Sequence, residues 1–192
     1  LIQPSFHKQY INNLFFFLLG CTNEMINEWK VVAENGGRID FAQEMMKITL
    51  QIIGKTMLSA DFKTEAKSVA VALTYLLKGV EKKALSAVNL PFWVPTATNI
   101  KFKNKRKVLD AIIYKLIEDR RKTGPQKGDL LDMMMESRYE DNGEPMPDNL
   151  LRDELMTIFL AGHETTATAL MWTFYLLTQH PEVCQKLKNE VK

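Results

Sequence analysis

Chemistry in this chain concentrates in one stretch, Leu160 to Ala169, which reads Leu-Ala-Gly-His-Glu-Thr-Thr-Ala-Thr-Ala. A glutamate can give and take protons, and a threonine hydroxyl both donates and accepts hydrogen bonds. At about 100° per residue on a helix, Ala161, Thr165, Thr168 and Trp172 share one face, with Glu164 at its margin. That face begins small, becomes hydroxylated and ends aromatic. Thr165 can return its hydroxyl to the Ala161 carbonyl four residues back, which loosens the ladder. Gly162 costs a helix interior about 1 kcal/mol relative to alanine. Two readings fit this pattern. One is a shelf on which something flat can rest, with a proton relay at its edge. The other is a seam for close helix packing. A zinc-protease reading fails, because His163-Glu164 opens like His-Glu-x-x-His but position 167 is alanine.

The element that must carry these residues is a helix from about 150 to 179, roughly 45 Å long. Pro147 precedes it and Pro181 follows, and Asp148 is its expected N-cap. Apolar residues repeat at three and four over 8–34, 42–58, 64–87 and 100–123, so four more long helices are expected. Asn35-Gly36-Gly37 should end the first of them. Arg38-Ile39-Asp40-Phe41 alternates and reads as a short edge strand. Residues 89–99 hold two prolines and read as a loop, where Phe92 and Trp93 are either a mobile lid or caps on a neighbouring core. Asp129-Leu-Leu-Asp132 opens a short helix, and Pro181 suits the first turn of the next one. The fold class is mainly α, with one continuous helical core over 1–192 and no second domain.

Composition narrows the function. The 192 residues are 46% hydrophobic and 25% charged, with 25 basic and 23 acidic side chains and a net charge of +2. This balance gives no reason to expect a nucleic-acid partner or an anionic surface. The basic run Lys101, Lys103, Lys105, Arg106 and Lys107 reads as a solvated helix face. Two cysteines, Cys21 and Cys184, make neither a disulfide framework nor a metal spacing, so a reducing, cytoplasmic compartment is the default. The apolar run Leu14 to Leu19 is far too short to span a bilayer and reads as the buried face of a core helix. The chain opens on Leu1 and stops inside a helical pattern at Lys192, so an internal fragment is expected.

Ala161-Gly162-His163-Glu164-Thr165-Thr166 resembles the long central I helix of the cytochrome P-450 family, the haem-thiolate monooxygenases. Flanking segments carry the resemblance along the whole chain. Leu1-Ile-Gln-Pro-Ser-Phe-His7 is similar to the stretch after the family's C helix. Asp40-Phe41 and Ile48 to Gly54 are similar to its E-helix region. Leu90-Pro-Phe-Trp-Val-Pro95 is similar to its F–G loop, which favours the lid. Asp129-Leu-Leu-Asp132 and His180-Pro-Glu182 flank the central helix as in the family.

The resemblance implies haem b (iron protoporphyrin IX), an iron ligated by a cysteine thiolate, and oxygen activation on the opposite face. It gives Thr165 the role of holding the distal oxygen and passing protons on, with Glu164 as the acid that replenishes them. Ala161 and Gly162 would admit the porphyrin, Phe6 would pack beside it, and Thr157 and Leu160 would face the substrate. His163 would point elsewhere. The implied partners are O2, a small apolar substrate, fatty-acid-like by similarity, and a reductase or ferredoxin as electron donor. The family's Phe-x-x-Gly-x-x-x-Cys-x-Gly ligand loop is missing from this sequence, as are its Glu-x-x-Arg pair and the tryptophan and arginine of its C helix. No axial ligand is therefore expected from residues 1–192, and the chain alone should be inactive. Its anchored members carry a membrane anchor in a segment that this sequence does not include. A helical scaffold and a haem-free relative stand as alternatives: the ligand-loop sequence separates an enzyme from the haem-free relative, and Thr165→Ala in the complete protein separates it from the scaffold.

Overall fold

The computed structural model describes residues 8–62, 66–86, 91–125 and 129–191. Its helices in chain order are α1 (Lys8–Glu34), α2 (Phe41–Met57), α3 (Ala66–Ala84), α4 (Ala97–Thr123), α5 (Leu130–Glu136), α6 (Asp148–Gln179) and α7 (Pro181–Glu190). The mainly α expectation holds. The edge strand expected at Arg38–Phe41 does not form. Asp40 is instead the N-cap of α2, with extended backbone and its carboxylate accepting the Gln43 amide at 3.2 Å. The alternating pattern is an extended approach to a cap. Among the described residues the sole β-type pairing is an isolated bridge between Arg138 and Pro145.

A second correction concerns α6. Asp148 is its first helical residue and not its cap; Pro147 holds the cap position, without a side-chain bond. The Asp148 carboxylate instead takes both guanidinium nitrogens of Arg121 on α4. The end of α1 follows expectation: Gly36 turns left-handed at φ 63°, and the Gly37 amide closes on the Val32 carbonyl at 2.9 Å.

α6 runs through the middle, touching α2, α3, α4, α5 and α7, and its broadest contact is with α2. The main core gathers Leu50 and Ile53 of α2, Leu73 of α3, Ile113 and Ile117 of α4, Leu131 of α5, and Leu155 and Phe159 of α6. A smaller cluster joins Cys21 of α1, Met45 and Ile48 of α2, and Ala167 of α6. Cys21 is thus sealed between three helices.

Buried charge fixes the ends of the helices. Arg120, in the last turn of α4, pairs with Asp129 and Asp132 at the start of α5 and donates to the Leu58 carbonyl beyond α2 at 3.1 Å. The Ser59 side chain also bonds the Asp129 carboxylate, and Ser59 carries φ 47°, the left-handed region that a serine rarely enters. One network thereby ties three helix ends together. A second pair, Arg152 with Asp110, clamps α6 to α4. It leaves Arg152 buried and still charged, its pKa raised: burial opposes the charge, but the Asp110 and Asp153 carboxylates outweigh it.

The run Leu14 to Leu19 departs from expectation. Phe15, Phe16, Phe17, Leu18 and Leu19 are exposed, because the buried side of α1 belongs to Cys21. No helix among the described residues is long and apolar enough to cross a membrane.

Candidate functional site

Helical phase separates α6 into two stripes. Leu151, Leu155, Phe159, His163 and Ala167 recur every fourth residue and are buried. Thr157, Ala161, Thr165, Ala169 and Thr173 recur every fourth residue on another side and are exposed. The exposed stripe alternates threonine with alanine, so it is flat and carries a hydroxyl every second turn. Each of these threonines turns its hydroxyl back along the helix. Thr157 donates to Asp153 and Thr173 to Ala169, both at 2.8 Å, and Thr165 donates to the Ala161 carbonyl as its spacing predicts. Trp172 closes the strip, with Tyr175 edge-on at 5.7 Å between centroids.

Glu164 lies half-buried beside Thr165 and makes no hydrogen bond or ion pair with a described residue. Its carboxylate is thus available at the margin of the strip. Thr157 lies on the strip two turns earlier. Leu160 does not join it: its side chain packs against the main core cluster. Three residues of helix turn Leu160 about 60° away from Thr157, toward the body of the protein. Phe6 lies outside the described residues.

Gly162 needs a similar correction of direction. A Cβ there would stand 2.9 Å from Cδ1 of Ile53, so its missing side chain serves the close approach of α2. The open shelf belongs to Ala161 and Thr165. On different sides of one turn, Gly162 is a packing seam and Ala161–Thr165 is an exposed face. The partners on α2 left no signal in the α6 sequence. The threonine repeat at eight-residue spacing, Thr157, Thr165 and Thr173, is the sequence signal of the exposed strip.

His163 points opposite Thr165 and is 1% exposed. Burial lowers its pKa, since a charged imidazole loses its water, while a hydrogen bond to the Met46 backbone opposes the shift. Its Nε2 has no hydrogen-bond partner. An orphaned buried polar atom costs on the order of 1–3 kcal/mol.

Near the expected lid, Phe92 is half-exposed, stacks on Phe102 of α4 at 4.6 Å, and carries the Lys83 ammonium 3.2 Å above its ring. Trp93 has most of its surface in solvent. No group of three or more metal-ligating side chains forms among the described residues.

The sequence profile of the Cytochrome P450 family matches residues 1–192. The chain belongs to that family. Cyclooctat-9-en-7-ol 5-monooxygenase of Streptomyces melanosporofaciens is 26% identical over the entire chain, which covers 41% of that protein. A bifunctional cytochrome P450/NADPH–P450 reductase of Alternaria alternata is 29% identical over the entire chain, which covers 18% of it. A crystal structure of a cytochrome P450 superposes with a TM-score of 0.80 at 24% identity, over all of this chain and 44% of that one. The fold is therefore a partial cytochrome P450 fold, and the chain spans less than half the length of these relatives. α6 answers to the family's I helix, whose small-Gly-x-acid-Thr pattern is Ala161-Gly162-His163-Glu164-Thr165 here.

Proposed function

We propose that this chain is the oxygen-activating part of a haem-thiolate monooxygenase that hydroxylates an apolar organic substrate. One observation carries the reading: Thr165 and Ala161 form an exposed hydroxyl-and-carbonyl pair on a flat face of α6, with the unpaired Glu164 carboxylate beside it. The residues present fit a planar macrocycle. Alanines at 161 and 169 leave little bulk on the strip, and the stripe that includes Phe159, His163 and Ala167 is the one turned into the core. Haem b, when bound, supplies oxygen binding and the acceptance of electrons.

The chain's own residues would do the rest. Ala161 would let the ring lie close to the helix. The Thr165 hydroxyl rests on the Ala161 carbonyl, and by rotating it can donate toward the open face and then accept a proton in return. Glu164 reloads it through water, since its half-buried carboxylate still reaches solvent. Thr157, exposed on the strip, meets the substrate. The Gly162 backbone keeps the helix close to α2. Cys21 is walled in by Met45, Ile48 and Ala167 and is a poor axial ligand. We place the thiolate outside residues 1–192. Electrons come from a reductase or a ferredoxin, and the fused reductase of the Alternaria relative makes the former the working choice. The substrate class is fatty-acid-like or similarly long and apolar.

The test is Thr165→Ala in the intact protein. Product formed per reducing equivalent should fall about tenfold or more, with hydrogen peroxide released instead, in line with the 10²–10⁴-fold usually ascribed to positioned proton transfer. Thr165→Ser should keep most of the coupling. Unchanged coupling in Thr165→Ala would remove the proton relay from this face.

A further inference from the structure

The contact between α4 and α6 is largely apolar: Leu109, Ile113 and Ile117 of α4 share the main core with Leu151 and Leu155 of α6. Burial of that kind excludes water but gives little direction to the angle at which two helices cross. Two ion pairs add direction. Arg121 with Asp148 stands half in solvent, where water and salt weaken it. Arg152 with Asp110 is different. Its Nε donates to Oδ1 of Asp110 at 2.7 Å and its Nη2 donates to the same oxygen, while Nη1 donates to the Asp153 carboxylate. The other Asp110 oxygen lies 3.6 Å from Nε of Arg106. Every guanidinium nitrogen of Arg152 is therefore used, on a side chain that is 8% exposed. A buried pair can often be exchanged for apolar residues without loss of stability, so what it adds here is a fixed geometry. Asp153 carries that geometry forward, because its carbonyl accepts the Thr157 hydroxyl at 2.8 Å.

We propose that Arg152 is a positioning residue for the substrate, fixing the crossing of α4 and α6 through Asp110 so that Thr157, one and a half turns on, keeps its place on the open strip. This rests on the monooxygenase reading, with Thr157 as the substrate contact. The helix rises about 7.5 Å from Arg152 to Thr157. A tilt of ~10° about Arg152 therefore moves Thr157 by about 1 Å. Misplacement by about 1 Å can cost on the order of 100-fold in rate. On a substrate built of near-identical methylene groups, the same shift presents a different carbon. The pair thus governs where the substrate is oxidised.

The experiment replaces the pair by apolar residues, Arg152→Met with Asp110→Leu, in the intact protein. The double variant should match the wild type in denaturant midpoint. Spin labels at the exposed positions Lys107→Cys and Thr166→Cys, in a Cys184→Ser background with Cys21 buried, read the α4–α6 geometry without any substrate. One narrow distance is expected with the pair and a broad distribution without it. Dodecanoic acid is the substrate probe. The double variant should bind it about tenfold more weakly and hydroxylate it over more carbons. Arg152→Lys, which keeps the charge but loses the fork, should fall between the two. An unchanged distance distribution overturns the proposal. Distances that broaden while affinity and products stay the same also overturn it: the clamp then stands, but Thr157 is not the substrate contact. Should the double variant fail to fold, Arg152→Lys decides alone. If the wild type leaves dodecanoic acid unbound, the fatty-acid reading has failed, and the same affinity comparison with phenylimidazole, an apolar ligand of haem iron, decides the positioning role.

Discussion

A Cβ on Gly162 would meet Cδ1 of Ile53 at 2.9 Å. The contact is tight, but its partner is the free end of a flexible side chain. Alanine at this position should therefore be nearly neutral, since the gain of about 1 kcal/mol in helix propensity offsets a small shift of Ile53. Gly162→Leu should cost about 1–3 kcal/mol by overpacking. Gly54 differs. A Cβ there would lie 2.9 Å from the Ala60 backbone oxygen, and the Ala60 amide is already bonded to the Gly54 carbonyl at 2.9 Å. Gly54→Ala should thus destabilise more than Gly162→Ala. Thermal unfolding of the two variants side by side decides it; the reverse order would refute the packing argument.

Arg120 faces two almost fully buried carboxylates, Asp129 and Asp132. Replacing it with methionine removes the cation that both carboxylates pair with, and the expected loss is about 3–5 kcal/mol. Combining Arg120→Met with Asp129→Asn and Asp132→Asn should recover much of that loss, because the cost is of buried negative charge losing its cation and not of missing volume. A triple variant no more stable than the single one, measured by denaturant midpoint, would count against this account.

The same network gives a pH dependence. Burial alone would raise the Asp129 carboxyl, but the Arg120 guanidinium, the Asp132 amide and the Ser59 side chain together hold it below its usual range. The folded state therefore binds this proton less readily than the unfolded state. The stabilisation is present above the ordinary carboxyl pKa of about 4 and is lost as pH falls below it. Unfolding free energies of wild type and Asp129→Asn should converge as pH falls below about 4. A gap that stays constant over that range would show that Asp129 is not ionised in the folded protein.

Much of the molecule was legible because its signals are local. The bounds of α1 and α2 follow from apolar spacing, the turn after α1 from Gly36, and the Thr165–Ala161 bond from a spacing of four. The misreadings were also local in cause. Alternation at Arg38–Phe41 looks the same whether it builds a strand or leads into a cap. Asp148 has the residue type of a cap, but Arg121 competes for its carboxylate. Leu14 to Leu19 is apolar whichever way α1 turns, and Cys21 decided the buried side.

The sequence by itself determined that one long helix carries a small-Gly-x-acid-Thr motif, since helix formation and back-bonding depend on neighbours within a few residues. Only the tertiary structure decided which side of that helix is open. Gly162 was turned to Ile53, His163 to Met46 and Leu160 to the core, leaving Ala161 and Thr165 outward. The reason is that the roll of a helix has no local determinant. It is set by volume and hydrogen bonds on segments far away in the chain, and those meet only on folding.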